Sequence, residues 1–168
     1  MTDQADPQAA AQASTEQQFS IQKLYIKDVS FESPDTPSVF AFSNWEPQIE
    51  LNLNNASKKV SEGVYEVVMS ITATVKNNDK TAFLVEVQQA GLFNVVGFNE
   101  QDTKYILGAQ CMTILFPYAR EVVSDLTNRG GFPPLLLNPV NFDALYAQAM
   151  QKQQAEGDAA DDEVETKH

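Results

Sequence analysis

Residues 103–128, TKYILGAQCMTILFPYAREVVSDLTN, decide how the rest of the chain must be arranged. The stretch reads as one helix, roughly 40 Å long at 1.5 Å per residue. Its pattern changes halfway. In the second half Leu115, Ala119, Val122, Val123 and Leu126 form one stripe, with Arg120, Glu121 and Asp125 off it. In the first half Tyr105, Ile106, Leu107, Ala109, Cys111, Met112, Ile114 and Leu115 point all round the axis. A helix apolar all round must be covered all round, and a chain of 168 residues is short for doing so alone. One face on the chain's own sheet and another on a second subunit is the arrangement expected, with Tyr105, Ile106, Leu107, Ala109, Cys111, Met112 and Ile114 at the interface. The alternative is a single deeply buried helix in a monomer. Pro117 lacks an N–H and crowds the carbonyl four residues back, which predicts a kink.

Upstream, the pattern is that of strands. Phe19, Ile21, Tyr25, Val29 and Phe31 share one face of a first strand; Gln22, Asp28, Ser30 and Glu32 share the other with Leu24 and Ile26. SPDTPSVFAFSNWEP, residues 33–47, carries three prolines and reads as a long crossover loop. Residues 48–54 alternate strictly, and a polar link, 55–63, leads to a third strand, 64–75. Asn77-Asn78-Asp79 has hairpin-turn chemistry. The return strand, 81–96, sets Phe83, Val85, Val87, Gln89 and Phe93 against Leu84, Glu86 and Gln88, with Gly91 expected to bend it or mark a bulge. Beyond the long helix, Arg129-Gly130-Gly131 is a stop, residues 132–139 form a stiff apolar connector, and a last amphipathic helix runs over about 140–153. Strands followed by helices predict an α+β fold, a four-stranded antiparallel sheet with the long kinked helix and a C-terminal helix on one face. Residues 1–18 and 155–168 are expected to be disordered, leaving 19–154 as one domain.

Charge is uneven. Glu156, Asp158, Asp161, Asp162, Glu163 and Glu165 crowd the tail, so the folded part carries a small share of the formal −12. It has no basic stripe to neutralise phosphates, which argues against nucleic acid. The N-terminus lacks a signal-peptide pattern, no apolar run reaches membrane-spanning length, and the one cysteine excludes an internal disulfide. A cytoplasmic protein is expected.

Catalytic chemistry is hard to place. The one histidine is His168, the last residue, so the folded part has no histidine-based triad or metal site. No metal and no cofactor are expected. Cys111, mid-helix among apolar neighbours, reads as packing rather than a nucleophile. Neither GxxxxGK[ST] nor GxGxxG occurs. Asp28 and Glu32 would lie roughly 13 Å apart along a strand, too far for a shared-proton pair. They form either an ordinary solvated face or, with Leu84 and Glu86, an acidic docking patch. More unusual are apolar side chains in loops: Phe40, Phe42 and Trp45 in the crossover, Phe132 and Leu135–Leu137 in the connector. Such side chains either plug the ends of the sheet or line an open groove.

Six segments then carry a specific resemblance: YIKDVSFE (25–32), NWEP (44–47), VYEVV (64–68), FLVEVQQAGLF (83–93), LFPYAREVVSDL (115–126) and RGGFPPLLLNPVNFDALY (129–146). In this order, over about residues 19–151, they closely resemble the SecB family of bacterial protein-export chaperones. The resemblance implies a tetramer, a dimer of dimers, with long helices between subunit sheets. It implies an ATP-independent holdase that keeps secretory precursors unfolded and delivers them to the translocation ATPase SecA. The zinc-carrying C-terminal tail of SecA would dock on Asp28, Glu32, Leu84 and Glu86; the zinc belongs to that partner. A client groove would be lined by Phe40, Phe42, Trp45, Ile49, Leu51, Leu53, Phe132, Pro133, Leu135, Phe142 and Tyr146. Binding there would be apolar coverage of an unfolded chain, not catalysis. A small-molecule-binding protein or carboxylate enzyme on the same frame would instead need a closed pocket with converging polar groups.

Overall fold

The structure is a computed structural model that describes residues 16–41 and 43–165, with side chains through residue 155. Four strands, β1 (Gln18–Glu32), β2 (Gln48–Ser61), β3 (Val64–Asn77) and β4 (Lys80–Val96), form one antiparallel sheet in the order β1-β4-β3-β2. β1 and β2 are therefore opposite edges, and the crossover loop between them spans the sheet with one 3-10 turn at Ser38–Ala41.

The β3–β4 hairpin closes as its turn chemistry predicts, with Asn78 and Asp79 both at positive φ (52° and 61°). The polar stretch after residue 54 is not a link. β2 continues through it to Ser61 and turns at Gly63, φ 68°. An edge strand has water beside it, so polar residues at alternate positions do not end it.

Two bulges correct the reading of β1. The register slips between Ile21 and Lys23 and again between Ile26 and Asp28. Each extra residue reverses the side-chain alternation. As a result Phe19, Ile21, Leu24, Ile26, Val29 and Phe31 pair with β4 positions on the helix side, whereas Tyr25 turns to the outer face. Strict period-two counting assigned Leu24, Ile26 and Tyr25 to the wrong sides. Gly91 marks no bulge. A Cβ there would meet the Phe93 ring at 2.6 Å, so the glycine makes room for that ring.

The helical run begins at Asn99, whose side chain caps α1 (Glu100–Tyr105) by accepting from the Asp102 N–H. It passes through a π turn, Ile106–Gln110, into α2 (Cys111–Arg129). The π turn adds a residue to one turn and rotates everything beyond it. Pro117 lies inside α2 without ending it. α2 packs on β4, β3 and part of β1, over a core that includes Met69, Ile71, Phe83, Val85, Phe93, Leu115 and Val123. Leu126 O and Asn128 O accept from the Gly130 and Gly131 N–H groups, closing the helix where the glycines predicted. α3 (Phe142–Glu165) rests on the π turn and extends past the end expected near Gln153. Residues 1–15, Phe42 and His168 lie outside the described residues.

Candidate functional site

The outer sheet face, opposite the helices, gathers the four docking candidates. Glu32 pairs with Leu84 across β1 and β4; Ser30 pairs with Glu86, and Asp28 with Gln88. Asp28, Glu32 and Glu86 are exposed and Leu84 is half-buried. Their neighbours on β3 and β2 are Thr74, Thr72, Asn52 and Glu50, so this end of the face is flat, polar and acidic.

Further along the same face lies a group that strand counting could not find, because it depends on the second bulge. Glu66 of β3 is only 7% exposed. It accepts from the Tyr25 hydroxyl and from the Lys27 ammonium, at 3.0 Å on Oε1 and 2.9 Å on Oε2, and Lys58 Nζ lies 3.1 Å from Oε2. The Tyr25 and Lys27 hydrogen bonds hold the Glu66 carboxyl down to about 2. Burial, then the bonded carboxylate, pushes Tyr25 up to about 12.

The groove candidates divide. Phe132, 5% exposed, is a core residue, the hub on which Phe31, Phe40, Trp45 and Phe83 pack with ring centroids 4.8–6.3 Å away. Phe142, 4% exposed, packs edge-on against Phe116. Phe132 was expected to line the groove, and the chain's own aromatic rings cover most of it; Phe142, though buried, does border the open groove beside α3. Trp45, Leu53, Leu135 and Tyr146 are half-buried, while Phe40, Ile49, Leu51 and Pro133 are exposed. Ile49, Leu51 and Leu53 pair with Val75, Ala73 and Ile71, so they lie on the helix side of the β2 edge. α2 sits over β4 and β3 and leaves this edge uncovered.

At its far end the β2 row meets an open groove of about 310 Å³, lined by Leu53, Asn54, Met112, Leu145, Tyr146 and Ala149 among others. Leu145 and Ala149 were absent from the sequence-based lining. The i, i+3, i+4, i+7 spacing of Phe142, Leu145, Tyr146 and Ala149 was the signal for them. At the near end stands the Trp45–Phe132 cluster. Two buried polar side chains fix its loops. Asn77 Oδ1 accepts from Glu46 N–H at 3.0 Å and its Nδ2 donates to Asn44 O at 3.1 Å; Thr127 Oγ1 accepts from Leu135 N–H at 2.9 Å.

Within the single chain most of the interface candidates are already covered. Ile106, Leu107, Ala109, Cys111 and Met112 are buried within the single chain, and Tyr105 and Ile114 half-buried. The π turn and α3 explain this. α3 covers the side of the helix that the sheet cannot, with Tyr146 seated over Gly108 and Tyr105 donating to Asp143 at 2.7 Å. Besides Ile49 and Leu51 on the β2 edge, exposed large apolar side chains include Ile21, Ile26 and Val29 on the helix side of the β1 edge, Tyr118 on α2 and Leu145 on α3. Burial pushes the Cys111 thiol up to about 12, so it stays neutral. Among the described residues no group of three or more His, Cys, Asp or Glu could hold a metal ion, and no helix is long and apolar enough to cross a membrane.

The comparisons agree with this geometry. The family model of preprotein translocase subunit SecB matches residues 12–153. A protein-export protein SecB from Methylococcus capsulatus is 56% identical over 145 residues, 86% of this chain and 93% of the relative. One from Nitrosococcus oceani is 50% identical over 160 residues, 95% of this chain and 98% of the relative. In fold the chain is similar to a SecB-like chaperone of Mycobacterium tuberculosis solved with a peptide from the HigA1 antitoxin. The TM-score is 0.62 at 20% identity, covering 73% of this chain and 90% of that one. A four-stranded antiparallel sheet under one long helix, matched along nearly its whole length by these relatives, places the chain in the SecB family of protein-export chaperones.

Proposed function

We propose that the chain is a nucleotide-independent holdase that binds unfolded precursor proteins along the helix side of β2 and hands them to SecA. The observation that carries this reading is the apolar strip left open by α2. Ile49 and Leu51, about half exposed, connect the Phe40–Trp45 end to the Leu53–Tyr146 groove. A client covering several hundred Å² of it would gain on the order of 25 cal/mol per Å² without demanding a particular sequence. Ordering the client offsets much of that and keeps hand-over feasible. The bond is physical; no catalytic step is involved.

The acidic outer face suits a cationic partner. In this reading the zinc-carrying tail of SecA docks on Asp28, Glu32 and Glu86 around Leu84, while the client lies on the other side of the sheet. The functional particle is a tetramer whose first interface covers Ile21, Ile26 and Val29 rather than the buried helix residues. A cytoplasmic site of action follows from the same role.

The test is refolding of a destabilised precursor without nucleotide. The chain should slow it at stoichiometric amounts, and Ile49→Ser with Leu51→Ser should abolish the delay. Charge reversal at Asp28 and Glu86 should weaken binding of the SecA tail and leave the delay intact. Unimpeded refolding with the unaltered tetramer would overturn the holdase reading; loss of both activities together in an intact tetramer would overturn the division of surfaces.

A further inference from the structure

The outer sheet face is divided by charge. Lys23, Leu92, Glu66 and Lys58 form one row straight across β1, β4, β3 and β2. In the next row Ala90, Val68 and Ala56 lie beside Tyr25, and these small side chains leave the face shallow. Beyond them come Asp28, then Glu86, then Glu32 and Glu50. Asp28 follows Lys27 directly and is the acidic residue nearest the lysines. From Leu92, in the row of Lys23 and Lys58, to Glu86 is roughly 20 Å at 3.3 Å per residue, more than two Debye lengths at about 8 Å each, so the Lys23–Lys58 row is not neutralised by Glu86, Glu32 and Glu50.

Its charge is also not neutralised from within. Lys59 pairs with Glu62, Lys104 with Glu100 and Arg129 with Asp125, one cation to one carboxylate. Lys27 and Lys58 share the single carboxylate of Glu66. Lys23 makes no ion pair among the described residues. Each ammonium has three donors; Lys27 gives Glu66 two contacts and Lys58 one, and the Lys27 and Lys58 side chains are 39% and 66% exposed. Glu66 thus holds two cations in place and leaves donors on both facing water.

We propose that this basic end of the outer face docks an acidic, extended segment of a partner protein. Its carboxylates would pair with Lys23, Lys27 and Lys58 and its backbone would lie over Ala56, Val68 and Ala90. The Lys27 and Lys58 ammoniums meet at Glu66 Oε2, 2.9 and 3.1 Å from it, while Lys23 stands two strands from Glu66, roughly 10 Å at 4.8 Å per strand, so the set suits carboxylates strung along a chain better than a single phosphate.

The test is a titration of the full chain with a peptide of alternating glutamate and serine. Affinity is read by fluorescence anisotropy and location by methyl NMR. The methyls of Ala56, Val68, Ala90 and Leu92 should shift while those of Ile49 and Leu51 do not. Lys23→Gln, at an exposed side chain with no ion pair to lose, should weaken binding several-fold, and Lys27→Gln with Lys58→Gln about tenfold. Glu66→Gln should strengthen binding, because it removes the internal counter-charge that both ammoniums share. A merely solvated face would show no such gain. Absence of shifts, equal shifts with a lysine–serine peptide, or shifts with inorganic phosphate or anionic phospholipid vesicles but not the acidic peptide would overturn the proposal. So would unchanged affinity in both Lys23→Gln and Glu66→Gln. None of these readouts involves a client or SecA, so the result is independent of the holdase reading.

Discussion

Glu66 ties one carboxylate to stability at both ends of the pH range. Its folded pKa, about 2, lies below the ordinary 4.5. Its contribution to stability is therefore complete above pH 4.5 and is lost as pH falls toward 2. Tyr25 runs the other way: raised from 10 to about 12, it contributes fully below pH 10 and loses that contribution as pH rises to 12. Urea unfolding across pH should show both limbs. Glu66→Gln should flatten the acid limb and Tyr25→Phe the alkaline one. A second residue-scale prediction concerns Gly130. Its φ of −70° is open to any residue, but a Cβ would lie 2.3 Å from the Phe31 ring. Gly130→Ala should cost about 1–3 kcal/mol by overpacking, and Phe31→Leu in the same chain should recover part of the lost Tm. The glycine was read from sequence as a helix stop, which it is. That it also seats an aromatic ring depends on β1, nearly a hundred residues away, and has no local signature.

Among the elements, the crossover loop owes its shape to side chains outside itself. Three prolines deny residues 33–47 a ladder of their own, so Asn77 supplies partners to Glu46 N–H and Asn44 O. Asn77→Ala should cost about 1–3 kcal/mol, the usual penalty for stranding such groups. Trp45 is the one tryptophan, so its emission should shift red as it leaves Phe132; unchanged emission would show that Asn77 does not position the groove end. The strands and helices of this chain were legible by period wherever the alternation was unbroken, as in β3 and in β4 beyond Ala82. They were misread where a bulge in β1 or the π turn at Ile106–Gln110 inserted one residue. At the second β1 bulge Glu66 bonds Tyr25 and Lys27 from across the sheet, a partner that local composition does not reveal.

At the scale of the whole molecule, the chain covers its long helix more fully than its length suggested, and its exposed apolar surface has moved to the β1 and β2 edges. Light scattering should give four copies per particle. Ile26→Glu should lower that mass, because it charges the β1 patch formed by Ile21, Ile26 and Val29. Cys111→Ser should instead destabilise each protomer, since that side chain is fully buried within it. A particle that is monomeric before mutation would end the tetramer reading. The sequence by itself determined the sheet, its hairpin, the long helix and the family, because each is written in local periodicity or in contiguous motifs. Only the tertiary structure decided which apolar side chains are core and which are surface. Burial is settled by the element that happens to lie opposite: α3 over the π turn covers Gly108 and Met112, whereas among the described residues Ile49 and Leu51 stay about half exposed.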